Sequence, residues 1–110
     1  MAFDEQLANR VRDILIEVPG VNERRMFGGL AFLVSGHMAC GIVGADLMLR
    51  LGETGADDAL DRPYVRPMDF TGRPMRTMVY VAGEGIVADR TLSQWVERAV
   101  EYVGVLPPKT

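Results

Sequence analysis

Arg24-Arg25-Met26-Phe27-Gly28-Gly29-Leu30-Ala31-Phe32-Leu33-Val34 reads as a central β-strand. Apolar residues occupy both of its parities, with Leu30, Phe32 and Val34 on one and Phe27, Ala31 and Leu33 on the other. Such a strand cannot leave either face fully in water, so the reading places it inside a covered sheet. Gly28 and Gly29 interrupt it, and a missing side chain there marks a bulge, a sharp bend or a second backbone lying close.

Upstream, Phe3 to Val18 carries Leu7, Val11, Ile14, Leu15 and Val18 at a spacing that lays one apolar stripe along a helix. Asp4 is placed to cap its start, and Pro19-Gly20 to stop it. Val21 to Glu23 then reads as a short loop. Downstream, Ser35-Gly36-His37 has hairpin-turn composition, Met38 to Val43 a second strand, and Gly44-Ala45-Asp46 the next turn. In a third strand, Leu47, Leu49 and Leu51 share one face, and Asp46, Met48 and Arg50 share the other, wetter one.

Gly52 to Asp61 suits a short acidic helix with Thr54 near its cap, and Pro63, Pro67 and Pro74 punctuate an irregular or edge-strand stretch. Thr77 to Val81 is the next strand, and Gly83-Glu84-Gly85 turns it toward Ile86-Val87. The last helix carries Leu92, Trp95, Val96, Ala99, Val100 and Val103 on one stripe, opposite Glu97, Arg98 and Glu101, with Thr91 and Gln94 as a capping-box pair. The expected fold is α+β: a two-layer α-β(3)-α-β(2)-α sandwich, its antiparallel sheet carrying helices on one face. One domain over residues 1–110 is expected, with 105–110 as a flexible tail.

The 110 residues are 48% hydrophobic and 25% charged, the profile of one globular domain with its own core. No window approaches the roughly 18 apolar residues of a membrane span, and the N-terminus has no basic-then-apolar signal pattern, so a cytoplasmic chain is expected. Cys40 is the lone cysteine, which fits a reducing compartment. A net charge of -3 argues against nucleic-acid binding by global field alone.

Chemistry-bearing residues are sparse. His37 and Cys40 are the only residues of their types, and a spacing of three on a regular strand would point them to opposite faces, away from a nucleophile–base pair. No metal, cofactor or catalytic centre is expected. The Gly28-Gly29 pair matches neither the dinucleotide nor the Walker glycine pattern. Arg62, Arg66, Arg73 and Arg76 fall within fifteen residues whose only acid is Asp69, a candidate nucleic-acid or anion surface. Glu53, Asp57, Asp58 and Asp61 lie just upstream and offer neutralising charge. Met26, Met38, Met48, Met68, Met75 and Met78 make the interior rich in methionine, a side chain that can serve partner surfaces but at strand positions is more often core, and Trp95 reads as a core anchor.

Arg25-Met26-Phe27-Gly28-Gly29, followed by an apolar strand, a glycine turn and a second strand, resembles the opening motif of the TfoX (Sxy) N-terminal domain family. Leu47-Met48-Leu49-Arg50-Leu51, Gly72-Arg73-Pro74, Met78-Val79-Tyr80 and the Leu92-to-Val103 helix with Trp95 extend the resemblance over nearly the whole chain. It implies an α-β-β-β-α-β-β-α domain, found at the N-terminus of competence-gene regulators that act alongside a cyclic-AMP-responsive activator, and also in short stand-alone proteins. With its end near Pro107-Pro108-Lys109, this chain is similar to the short kind. It departs from the family where Ala82-Gly83-Glu84-Gly85 replaces the proline common after the last strand. No catalytic residues come with the resemblance, and Arg25, Met26, Phe27, Gly28, Gly29 and Trp95 are read as structural. The expectation is a non-enzymatic module, monomeric or homodimeric, that acts through a protein partner. The alternatives are direct DNA contact through the four arginines and small-ligand binding.

Overall fold

The computed structural model describes residues 3–26, 28–70 and 73–107, with side chains left aside at Asp69, Phe70, Arg73 and Pro74. The elements run α1 (Glu5–Ile14), β1 (Val21–Met26), β2 (Gly29–Val34), β3 (His37–Val43), β4 (Asp46–Arg50), α2 (Gly52–Ala59), β5 (Val65–Phe70), β6 (Arg73–Val81), a 3-10 turn (Gly83–Ile86) and α3 (Asp89–Gly104). One six-stranded sheet is formed in the order β1-β2-β3-β4-β6-β5, with every neighbouring pair antiparallel. The fold is α+β, as expected from the sequence, with one strand more.

The extra strand comes from the stretch read as one central strand. Arg24 to Val34 is a hairpin: β1 doubles back on β2 with Arg25 opposite Leu30 and Met26 opposite Gly29. Gly28 makes the reversal with φ +73°, backbone that a side chain resists. Gly29 is then pressed so closely on Ile42 that a Cβ would enter its carbonyl oxygen. Phe27, between them in the motif, lies outside the described residues. β1 takes in Val21 to Glu23, read as a loop, and is an edge strand whose Asn22, Glu23, Arg24 and Arg25 are exposed. Its polar residues keep that edge from recruiting further strands.

Other boundaries shift for local reasons. α1 starts as expected, with the Asp4 carboxylate accepting from the amides of Gln6 (2.9 Å) and Leu7 (3.2 Å). It ends at Ile14, four residues short of Val18, and continues as turns to Gly20. α2 has Leu51 rather than Thr54 at its N-cap, without a side-chain bond. The proline-punctuated stretch contributes β5, an edge strand, the place where a residue lacking an N–H is tolerated. Ile86 closes the 3-10 turn instead of extending a strand. α3 begins at Asp89 behind Ala88, so Thr91 and Gln94 lie inside the helix and form no capping box.

The main core lies between α1, α3 and one face of the sheet. Leu7, Val11 and Leu15 meet Phe32, Cys40, Ile42, Leu47, Leu49, Val79 and Val81 beneath Leu92, Val96, Ala99 and Val103. Each fully buried aliphatic of this kind contributes roughly 1.5–3 kcal/mol against exposure. Ala56 and Ala59 of α2 join the same cluster. Arg10 ties α1 to the start of α3: its guanidinium donates to the carbonyls of Ile86 (2.8 Å) and Val87 (3.1 Å) and to Asp89 (3.1 Å). A smaller cluster of Met48, Met68 and Met78, with Met38 and Tyr80 against it, lies on the other face.

Candidate functional site

Register sorts the strand side chains, because directly opposed residues of antiparallel strands share a face. Phe32, Cys40, Leu49 and Val79 form one row under the helices, and Leu30, Ile42, Leu47 and Val81 another. On the reverse face a single row crosses all six strands: Arg24, Ala31, Gly41, Met48, Tyr80, Arg66. No described helix contributes to the cluster on this face.

The reverse face, which carries Met48, was expected to be the wetter one. Met48 is 1% exposed instead. It lies over Gly41, where a Cβ would stand 2.7 Å from the Met48 methyl, and Met68 and Met78 close over it from the side. What this face presents is a half-buried apolar layer of Met26, Leu33, Met38, Val43 and Tyr80, with Arg24 and Arg66 exposed at its two ends. Arg66 stacks on Tyr80, 4.7 Å from the ring centre, and reaches Asp46 at 2.5 Å.

The helix side offers a second locality. Trp95 is 4% exposed, held in the apolar stripe of α3, and flanked by two guanidinium groups: Arg98 at 5.1 Å and Arg62 at 5.6 Å from the ring centre. Arg98 was assigned to the opposite side of the helix; the signal that places it here is its spacing of three from Trp95, which makes the two neighbours on a helix surface. Arg62 arrives from the turn after α2, where its amide bonds Ala59 O at 2.9 Å. A hollow of about 650 Å³ opens beside this stack, walled by Ile14, Leu15, Val18 and Val100 with Thr91, Gln94, Glu97 and Glu101. A second hollow, about 410 Å³, adjoins Arg62 on the side of Tyr64 and Val87. Tyr64 holds a left-handed backbone, φ +67°, an uncommon conformation for a bulky residue.

Of the four arginines singled out in the sequence, the structure separates Arg62 from Arg66. Arg62 stacks on Trp95 on the helix side, and Arg66 lies on the reverse face. Arg76 lines a hollow between α2 and the β5–β6 hairpin together with Glu53 and Asp57, and the side chain of Arg73 is outside the described residues. Arg62 precedes β5, in the turn after α2, and so reaches Trp95 on the helix side, whereas Arg66 is on β5 opposite Tyr80. Of the motif residues, Arg25 packs over the Phe3 ring at 5.5 Å, and Met26 and Gly29 pair at the hairpin end.

His37 and Cys40 do not follow the parity expected of them. A bulge between Phe32 and Leu33 in the β2–β3 pairing sets His37 opposite Val34 and Cys40 opposite Phe32, on one face. They still form no pair: His37 Nε2 lies 2.5 Å from Pro107 O, while complete burial pushes the Cys40 thiol up to about 12 and leaves it inert. Among the described residues, no three His, Cys, Asp or Glu side chains converge as metal ligands, and no helix is long and apolar enough to cross a membrane.

The model of the TfoX N-terminal domain matches residues 13–103, from the end of α1 to the end of α3. This chain belongs to the TfoX N-terminal domain family. The matched span includes the Arg25–Gly29 hairpin, the open face and the Trp95 stack of this TfoX N-terminal domain. A similar fold occurs in the crystal structure of Deinococcus radiodurans protein DR2400, which carries a DUF419 family-model domain. The likeness has a TM-score of 0.70 at 17% identity and covers 90% of this chain and 79% of that one. At that identity it concerns the fold. No curated protein matches the chain.

Proposed function

We propose that this TfoX N-terminal domain is a non-enzymatic regulatory module that works through protein contacts made by the reverse face of its sheet. The observation that carries this reading is the half-buried layer of Met26, Leu33, Met38, Val43 and Tyr80 on the sheet face turned away from α1 and α3, with α2 bordering it beside Met68 and Met78. Methionine side chains adapt to varied partner shapes, and a contiguous apolar face edged by charge is the composition of a docking surface. Arg24 and Arg66 at its ends are suited to orienting a partner. Family membership adds support, through the link of such domains to transcription regulators. Direct DNA contact has less support, because Arg62 and Arg66 lie on opposite sides of the sheet and Arg76 shares its hollow with two acids.

A photo-crosslinking amino acid at Leu33, in cells of the source organism, tests the reading against the same group at Gln94 on the helix side. A discrete protein adduct from Leu33 alone, lost on Met38→Glu, is expected. Equal labelling from both sites, or adducts to DNA, would remove the proposal.

A further inference from the structure

Beyond protein docking, and on the opposite side of the sheet, the hollow between α1 and α3 has the makings of a ligand site. Its volume, about 650 Å³, lies inside the roughly 300–1,000 Å³ range of small-molecule pockets. One wall is apolar, built of Ile14, Leu15, Val18 and Val100; the other carries the Arg62–Trp95–Arg98 stack. Such a division suits a ligand with one apolar end and one charged end.

The two guanidinium groups set the sign of that charge. Arg10, Arg12 and Arg66 each meet a carboxylate, at 3.0, 2.7 and 2.5 Å. Arg62 and Arg98 meet none among the described residues, although Glu97 and Glu101 line the same hollow. Among the described residues, other arginines also meet no carboxylate; these two are set apart by sharing one indole and one apolar cavity. Stacking on the ring engages the guanidinium face and leaves its N–H edge free for an anion. A carboxylate matches that planar edge with two parallel hydrogen bonds. Glu97 and Glu101, both exposed, place negative charge at the rim and disfavour ligands with a second negative charge, which counts against phosphates and nucleic-acid backbone.

We infer that this hollow binds a small monocarboxylate with an apolar stem, its carboxylate held by Arg62 and Arg98 beside Trp95 and its stem against Leu15, Val18 and Val100. Trp95 is the only tryptophan of the chain, so its fluorescence reports this site directly.

The test uses the full chain with octanoate as probe and octan-1-ol as the uncharged counterpart. Octanoate should change Trp95 emission saturably and bind at least tenfold more tightly than octan-1-ol. Amide NMR shifts should gather at Leu15, Val18 and Val100. Arg98→Gln, and separately Arg62→Gln, should narrow the preference for octanoate; each is read alongside an amide spectrum that verifies folding, so a variant that unfolds leaves the other as the readout. No saturable response to octanoate overturns the inference. So does a response equal to that of octan-1-ol, or one whose shifts fall on Met38 and Tyr80 of the reverse face.

Discussion

The two faces of the sheet solve the same problem by different means. Under the helices, Phe32, Ile42, Leu47, Leu49, Val79 and Val81 are branched or aromatic side chains that stand off the sheet and must be covered by another layer, which α1 and α3 supply. On the reverse face, long unbranched methionines lie along the sheet over small residues: Met48 fills the space left by Gly41, and Met68 and Met78 close around it. That face buries its centre chiefly with its own methionines, α2 bordering it beside Met68 and Met78. Rigid branched side chains call for a partner element, whereas flexible thioethers beside glycine can cover one another.

The largest expected effect lies on the helix side. Trp95→Ala should cost about 3–5 kcal/mol by chemical denaturation, because it empties the stack between Arg62 and Arg98 as well as the core edge. A cost below about 1 kcal/mol would show that the ring is not part of the packed layer. Next comes the reverse face, where Met48→Ala should cost about 2–5 kcal/mol and Met48→Leu less than about 1.5. A near-neutral Met48→Ala would break the comparison, since it would mean that the face is merely wet, as its alternation pattern had implied.

Surface charge should matter least. Arg66→Ala should remove no more than about 1 kcal/mol, because the pair with Asp46 is half exposed. The Arg12–Glu23 pair gives the comparison a pH dependence on the helix side. Hydrogen bonding from Arg12 holds the Glu23 carboxyl below its ordinary 4.5, so its contribution is present above about pH 4.5 and is lost as pH falls through the lowered folded value. Wild type should therefore lose slightly more stability than Arg12→Ala between pH 5 and pH 3, roughly 0–1 kcal/mol and less at high salt. Identical slopes would assign the pair no role in stability.

The helices were legible because each repeats an apolar residue every three or four positions, and one turn of local geometry suffices to read that stripe. The Arg24–Val34 stretch misled because a strand and a tight hairpin share the same composition until the backbone at Gly28 is known. Apart from Phe27, which lies outside the described residues, its two parities of apolar residues belong to β2, whose burial on both faces they correctly signalled. The arginines were close in sequence and were read as one patch, yet Arg62 stacks on Trp95 on the helix side while Arg66 stacks on Tyr80 on the reverse face. Arg98 was missed because charge suggested solvent, while the spacing to Trp95 that sets its stack was available all along.

The sequence by itself determined the α+β class, the Asp4-capped first helix, the apolar stripe of the last helix, and the family, through the residues around Gly28-Gly29. These depend on nearest-neighbour geometry, in which residues a few positions apart fix one another. Tertiary structure alone decided that β1 forms an edge, that Met48 is buried, that His37 and Cys40 share a face, and that Arg62 crosses to Trp95. Each depends on strand order, on a bulge or on a turn that brings together segments distant in the chain, and local sequence exerts no force across such a distance until the sheet has formed.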